Sequence, residues 1–307
     1  MAELATTLHT DVCVGPAPRI SVVYGAEIIT FSGQNLGIKT LPSGAWQRWN
    51  PSTGDVTAYD GPAFSYDNSY VQTIWDGAVI IESKLYARVT EHNYYNGVQV
   101  PTLQVIDLAS STVATAYSLS IGEGYSLVAI DGKIYSGSGE RFDTTTNTLT
   151  PSWLAAPSPS LAVAGGRLFR LTASAITEVN LSTGANSTSW TWPVAAAPQV
   201  RPAVVGGKIL VSSTSSSVAV VGFDTATDST FAVAAIGGGF TSPNVWTVGP
   251  GGTLWHLEPS GTMKVVDPAT GRFDNVSMPP GTPPTSPGTA AVTLGGRMWI
   301  PSPSPLT

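Results

Sequence analysis

From residue 163 to residue 192 the chain reads VAGGRLFRLTASAITEVNLSTGANSTSWTW. Apolar and polar side chains alternate with period two over residues 167–172 and again over 175–179, the pattern of strands with two distinct faces. Gly165-Gly166 precedes the first run as a tight turn, and NLSTG at 180–184 separates the second run from a Thr/Ser/Trp strand. An Asn or Asp that opens a turn accepts a hydrogen bond from the backbone two residues on, and a closing Gly supplies positive φ. NLSTG therefore reads as a hairpin turn between two antiparallel strands.

The same turn returns along the chain. Residues 50–54 read NPSTG and residues 267–271 read DPATG, with looser versions DLASS from Asp107, DTTTN from Asp143 and DTATD from Asp224. A second marker keeps step: Gly165-Gly166, Gly206-Gly207, Gly251-Gly252 and Gly295-Gly296 each precede a strand, and Asp131-Gly132 and Asp76-Gly77 read the same way. Each unit becomes strand a, Gly turn, strand b, connection, strand c, Asp/Asn turn, strand d. The Asp/Asn positions are separated by 57, 36, 37, 44 and 43 residues. A four-stranded unit repeating near ~40–45 residues is the signature of a β-propeller blade, whose sheet must stack on neighbours to bury both faces.

The fold expected is an all-β propeller of seven four-stranded blades in one domain, residues 1–307. Residues 18–280 would hold six continuous blades, and residues 1–17 with 281–307 a shared seventh, closed by the strand-like TTLHTDVCV. Residues 78–96 lack Gly and Pro and could pass for a helix. Ile81, Ser83, Leu85, Ala87 and Val89 nevertheless alternate with Glu82, Lys84, Tyr86, Arg88 and Thr90, which predicts a half-exposed strand. Asn96-Gly97 then reads as a type I′ hairpin turn, so a long hairpin explains the 57-residue spacing.

Antiparallel order puts the a–b and c–d turns at one end of every blade and the irregular connections at the other. The irregular end would carry FSYDNSY (64–70), EHNYYNG (91–97) and IGEGY (121–125). Loops displayed by a rigid scaffold are where binding concentrates. The candidate binding residues are Tyr66, Asp67, Asn68, Tyr70, His92, Asn93, Tyr94, Tyr95, Asn96, Glu123 and Tyr125. Tyr with Asn, Ser and Asp offers rigid amphipathic area and adaptable hydrogen bonds, and it suits stacking on sugar rings. A receptor or ligand contact, a subunit contact, and local packing of a long hairpin all fit these residues.

Composition narrows the function classes. Charged residues make up only 11%, and 32 Gly and 24 Pro punctuate the chain too often for long helices. With 42% hydrophobic residues and nine Trp the chain can bury a sizeable core. Net charge is −6 and the basic residues never cluster, which argues against nucleic acid as a partner. No apolar run is long enough for a membrane span, so no membrane insertion is expected. The start, MAELATTLHTDVCVGPAP, has neither a basic nor an apolar segment of signal-peptide type. Cys13 is the single cysteine and reads as a small buried apolar residue.

The three histidines, His9, His92 and His256, stand far apart in the chain. No H-E-x-x-H or G-x-S-x-G occurs, SGSGE at 136–140 has the wrong spacing, and GPGGT at 249–253 lacks a following Gly-Lys-Ser/Thr. Asp267 and Asp274 do not match a calcium loop. No catalytic, metal or cofactor site is therefore assigned, and a non-enzymatic protein is expected.

The units GGRLF…VNLSTG, GGKIL…GFDTATD and GGTLW…VVDPATG resemble kelch-like and PQQ-enzyme-like propeller repeats. The Trp-docking signature of PQQ dehydrogenases is absent, so this resemblance implies architecture and no activity. In its Ala/Thr/Ser/Gly/Pro-rich texture, with nine Arg to five Lys, the chain also looks like minor tail proteins of phages infecting actinobacteria. That resemblance implies a non-catalytic virion module at the tail. Its partners would be other tail subunits and a host-surface glycan or protein met by the Tyr-rich loops. The alternatives are a secreted bacterial propeller enzyme, a lyase or glycoside hydrolase, and an extracellular carbohydrate-binding protein.

Overall fold

A computed structural model describes residues 18–32, 46–59, 71–93, 97–120, 126–197, 202–215, 217–234, 247–257, 262–270, 272–277 and 292–299. Those residues form antiparallel sheets, with no α-helix and no helix long and apolar enough to cross a membrane among them. The chain divides into two compact units, residues 1–64 with 246–307, and residues 65–245.

The second unit contains four sheets in chain order. Sheet B holds β5 (Val71–Ile81), β6 (Lys84–Asn93), β7 (Val98–Asp107) and β8 (Thr112–Ser118). Sheet C holds β9 (Leu127–Ile130), β10 (Lys133–Ser136), β11 (Arg141–Asp143) and β12 (Thr148–Thr150). Sheet D holds β13 (Ser160–Ala164), β14 (Arg167–Leu171), β15 (Ala175–Val179) and β16 (Asn186–Thr191). In sheet E two short pieces, β17 (Ala196–Ala197) and β18 (Ala203–Val205), both pair with β19 (Lys208–Ser213). It continues through β20 (Val218–Asp224) and β21 (Ser229–Ala234).

First strands of successive sheets lie side by side: β5 beside β9, β9 beside β13, and β13 beside β18 and β19. The sheets therefore stack face to face, and the core sits between them. Tyr86, Leu103, Ile134 and Phe142 fill the space between B and C. Tyr135, Trp153, Leu161 and Leu168 fill that between C and D, and Phe169, Leu171, Val211 and Phe223 that between D and E. Period-two alternation produces this directly, since Leu168 and Phe169 are neighbours in one strand yet serve different cores.

The first unit contains two four-stranded sheets and a hairpin. Sheet A holds β1 (Pro18–Tyr24), β2 (Glu27–Ser32), β3 (Trp46–Trp49) and β4 (Val56–Tyr59). Sheet F holds β22 (Thr247–Val248), β23 (Leu254–Leu257), β24 (Thr262–Asp267) and β25 (Arg272–Ser277). The hairpin is β26 (Val292–Leu294) with β27 (Arg297–Trp299). Its β26 touches both β1 and β22, Thr293 Oγ1 donates to the Val248 carbonyl at 2.6 Å, and Trp299 meets Trp49 edge-on at 4.9 Å.

Among the described residues there are thus six sheets of four or more strands, not the seven that the repeats predict. Beside these six sheets, the described residues hold one two-stranded hairpin, β26–β27. Residues 1–17, assigned to that last blade, lie outside the described residues.

All six Asp/Asn elements are c–d turns. The side-chain Oδ1 of Asn50, Asp107, Asp143, Asn180, Asp224 and Asp267 accepts from the amide two residues on, at 2.8 to 3.0 Å in every case. Four residues after the Asp or Asn the backbone turns left-handed: φ is +80° at Gly54, +57° at Ser111, +54° at Asn147, +73° at Gly184 and +51° at Asp228. The loose versions therefore adopt the same shape without Gly.

Residue i+1 of the turn ties it to the a–b turn of its own sheet. Thr144 N and Oγ1 donate to the Gly132 carbonyl, Thr225 N and Oγ1 to the Gly207 carbonyl, and Leu108 N to the Ser83 carbonyl. The two regular turns share one end of each of these sheets, as strand order requires.

Sheet B departs from the sequence expectation in three places. Asp76-Gly77 is not the a–b turn but lies within β5 at a bulge, and the turn is Glu82–Ser83, with Glu82 at φ +56°. Register pairs Asn93 with Val98, so four residues, not two, connect β6 to β7. The strand is also not half-exposed, because sheet C covers the Tyr86–Arg88–Thr90 face and all three are buried.

Gly184 shows what the turn geometry demands of its closing residue. A Cβ there would sit at positive φ and overlap the Trp153 carbonyl, whereas one at Gly54 would meet nothing within 4 Å. Gly184→Ala should therefore lower stability by at least ~1 kcal/mol, and by more than Gly54→Ala does. The check is the urea unfolding midpoint of each variant at unchanged slope.

Candidate functional site

The candidate region is the end of sheets B and C opposite the regular turns. Strands β6 and β7 each run ten residues, far longer than β10 and β11, so their hairpin reaches beyond the sheet next to it. Near its tip Val98 and Val100 are exposed at 50% and 40%.

Of the predicted binding residues, His92 and Asn93 are described in their backbone. They end β6, paired with Gln99 and Val98. Tyr66, Asp67, Asn68, Tyr70, Tyr94, Tyr95, Asn96, Glu123 and Tyr125 lie outside the described residues.

Behind the hairpin lies a polar network that no sequence motif marks. Arg88 projects from the middle of β6 towards sheet C and is fully buried. Its Nη1 donates to Ser136 Oγ at 3.1 Å and to Ser138 Oγ at 2.8 Å. Ser138 Oγ in turn donates to Glu140 Oε2 at 2.5 Å, and the Ser120 amide donates to Glu140 Oε1 at 2.7 Å. The stretch SGSGE, 136–140, is thus the b–c connection of sheet C, folded so that two hydroxyls meet the guanidinium of the neighbouring sheet and one of them also donates to the Glu140 carboxylate.

Glycine makes that fold possible at one point. A Cβ on Gly137 would overlap the Ser158 carbonyl, while the Gly137 amide donates to the Ser126 carbonyl and its own carbonyl accepts from the Ser158 amide. The connection is therefore clamped on two sides by the segments that lead into β9 and β13.

Electrostatically the network is balanced. Burial alone would raise the Glu140 pKa, but the Ser138 hydroxyl and the Ser120 amide outweigh it and hold the carboxyl below its ordinary range. A buried carboxylate and guanidinium linked through serines position a loop and do not exchange protons near neutrality. Glu91 lies on the other face of β6 and behaves oppositely. It is buried at 6% exposure, its Oε1 has no hydrogen-bond partner among the described residues, and burial pushes its pKa up to about 7. Among the described residues no cluster of His, Cys, Asp and Glu could hold a metal ion.

The sequence carries only a faint sign of the network. Arg88 stands amid apolar neighbours in β6, and SGSGE has small residues at every position but the last. Its partners lie 48 and 50 residues apart in the chain, however, and only the stacking of sheets brings them together.

No family model matches the chain, and no curated protein matches its sequence. Solved structures do match. The WD40 β-propeller domain of Doa1 aligns with TM-score 0.63 and 12% identity over 97% of this chain and 93% of that one. A chain of the Mitotic Checkpoint Complex aligns with TM-score 0.57 and 12% identity over 95% and 92%. An extracellular domain from B. thetaiotaomicron, of a hybrid two-component system, aligns with TM-score 0.62 and 10% identity. There 97% of this chain covers 38% of that one. At such identities the likeness is one of fold, and the fold is a β-propeller.

The two carboxyls give opposite pH effects. Glu140 has a depressed pKa, so its stabilisation is present above ~4.3, the ordinary Glu value, and is lost as pH falls through the folded value. The stability advantage of wild type over Glu140→Gln should shrink below that point in urea titrations. Glu91 has a raised pKa, so the folded protein keeps a proton that the unfolded chain releases above ~4.3. Wild-type stability should therefore fall between that pH and about 7 more steeply than that of Glu91→Gln.

Proposed function

We propose that this propeller is a non-catalytic interaction module of a virion tail, attached to other tail subunits and meeting a host-surface glycan or protein with its Tyr-rich loops. The observation that carries the reading is the asymmetry of the sheets. One end is held by repeated Asx turns bonded to their own a–b turns, and the other carries the long β6–β7 hairpin with exposed Val98 and Val100. A rigid scaffold that displays one extended hairpin suits recognition of a partner.

The interior supports the same reading. A chain of hydrogen bonds from Arg88 through Ser138 to Glu140 braces the sheet that bears the hairpin. Propellers that serve as protein-interaction scaffolds need such bracing, because binding by a mobile loop costs ordering entropy. The tail assignment itself rests on the texture of the sequence, with its abundance of Ala, Thr, Ser, Gly and Pro.

The test is binding of fluorescently labelled protein to a panel of intact actinobacterial cells, beside a Tyr94→Ala/Tyr95→Ala variant. Strain-selective binding that falls at least about tenfold in the variant, with the unfolding midpoint unchanged, is the expected outcome. Binding to no strain would remove the host-contact half of the proposal and leave a scaffold among tail subunits.

A further inference from the structure

The rim of the long hairpin carries a second feature, on the face of β6 opposite to Arg88. Along that face Leu85, Ala87 and Val89 are completely buried, and Glu91 follows as the last buried residue of the row, with 6% exposure. Register sets Val100 of β7 directly across from Glu91, and Val98 lies two residues along on the same face. Val98 and Val100 are both exposed. Burial therefore ends between one side chain and its cross-strand neighbour, and the residue at that boundary is a carboxylate.

The sheet has already narrowed at this level. Pairing of β8 with β7 begins at Thr102, the Leu119 amide donates to the Pro101 carbonyl at 3.0 Å, and the Ser120 amide turns away to Glu140 of sheet C. Glu91 is flanked in register by Thr73 of β5 and Val100 of β7, neither of which carries charge. Its Oε1 is buried with no hydrogen-bond partner among the described residues. Arg88, three residues earlier, takes the other face and gives its Nη1 to Ser136 and Ser138. Lys84 and Asp107 pair with each other at the far end of the sheet, and Asp76 sits at the β5 bulge, beside the rows of Val89 and Arg88. Burial is what raises the Glu91 pKa. A desolvated carboxylate in such company lacks the cation that would favour its ionised form.

We propose that this rim docks a basic side chain, lysine or arginine, of a protein partner, with its apolar stem over Val98 and Val100 and its charged head at Glu91. The proposal rests on the reading of the hairpin as a recognition surface and specifies the chemistry that it selects. Long basic side chains cover apolar surface with their stems and hold the charge at the end, so the two parts of the rim match the two parts of such a residue. The approach to Glu91 runs over Val100, its exposed neighbour. Because folding has already taken the carboxylate out of water, a cation that reaches it meets an attraction stronger than one at an open surface. A neutral sugar fits less well, since hydroxyls laid on valine side chains give up water without a partner.

The experiment uses the full chain with n-butylammonium chloride as probe, against sodium chloride at equal ionic strength. NMR follows the Val98 and Val100 methyl signals and the carboxyl carbon of Glu91, the last assigned from Glu91→Gln. Saturable shifts at these signals are expected. Glu91 should also titrate lower in n-butylammonium than in sodium chloride, moving from about 7 towards the ordinary carboxylate range. Affinity should fall about tenfold or more in Glu91→Gln and about threefold in Val100→Ser, a change at an exposed position. No saturable shift, equal shifts with n-butanol, or undiminished affinity in Glu91→Gln would overturn the proposal. Glucosamine binding as tightly as n-butylammonium would also overturn it, by assigning the rim to an amino sugar. The titration needs no cells, so its failure leaves the host-contact reading standing, and failure of cell binding leaves the cation site standing. Wild-type signals carry the first result, so a variant that unfolds does not blunt the test.

Discussion

One hydrogen bond organises this protein: the side-chain oxygen of an Asp or Asn accepting the amide two residues ahead. It fixes the start of each c–d turn, and the left-handed residue four positions on fixes its end. Between them the two outer strands are set in register, and register decides which side chains face which neighbouring sheet. The interleaved cores between sheets B, C, D and E depend on that choice, since a slip of one residue in β16 would turn Trp190 away from the core between sheets D and E.

The turn carries charge as well as geometry. Backbone amides of Ser110 and Ala109 hold the Asp107 carboxyl below its ordinary range, and those of Thr146 and Thr145 do the same for Asp143. For Asp224 the Lys208 ammonium comes first and the Ala226 amide second. Sheet D has Asn180 at this position, and its strand-b cation behaves differently. Arg167 turns to Glu178 on its own sheet and to Asp228 in the c–d turn of sheet E. In sheet D the Asx residue is neutral, and the arginine links two sheets.

Local chemistry makes the turns legible in the sequence. The Asx bond spans two residues and the positive φ two more, so DLASS and DTTTN match NLSTG even without the closing Gly. Glu82 is invisible there because a Glu at positive φ has no turn signature, while Asp76-Gly77 nearby imitates one and is a bulge. Arg88, Ser138 and Glu140 are hidden for a different reason. A buried ion network is satisfied by residues brought together through stacking, and period-two alternation says which face a side chain takes without saying what covers it. The candidate loop residues stand out by composition alone, and of them only His92 and Asn93 fall on described backbone.

The bonds from Thr144 to Gly132 and from Thr225 to Gly207 close each turn end upon its own sheet. In sheets C and E the turn end is thus a cassette stitched to its own sheet, though in sheet E Asp228 also reaches Arg167 of sheet D. A chain assembled from such cassettes can lengthen, shorten or exchange the connections at its other end without disturbing the stitching. Recombination among related genes would then exchange connections at the far end while inheriting the stitched turn end intact.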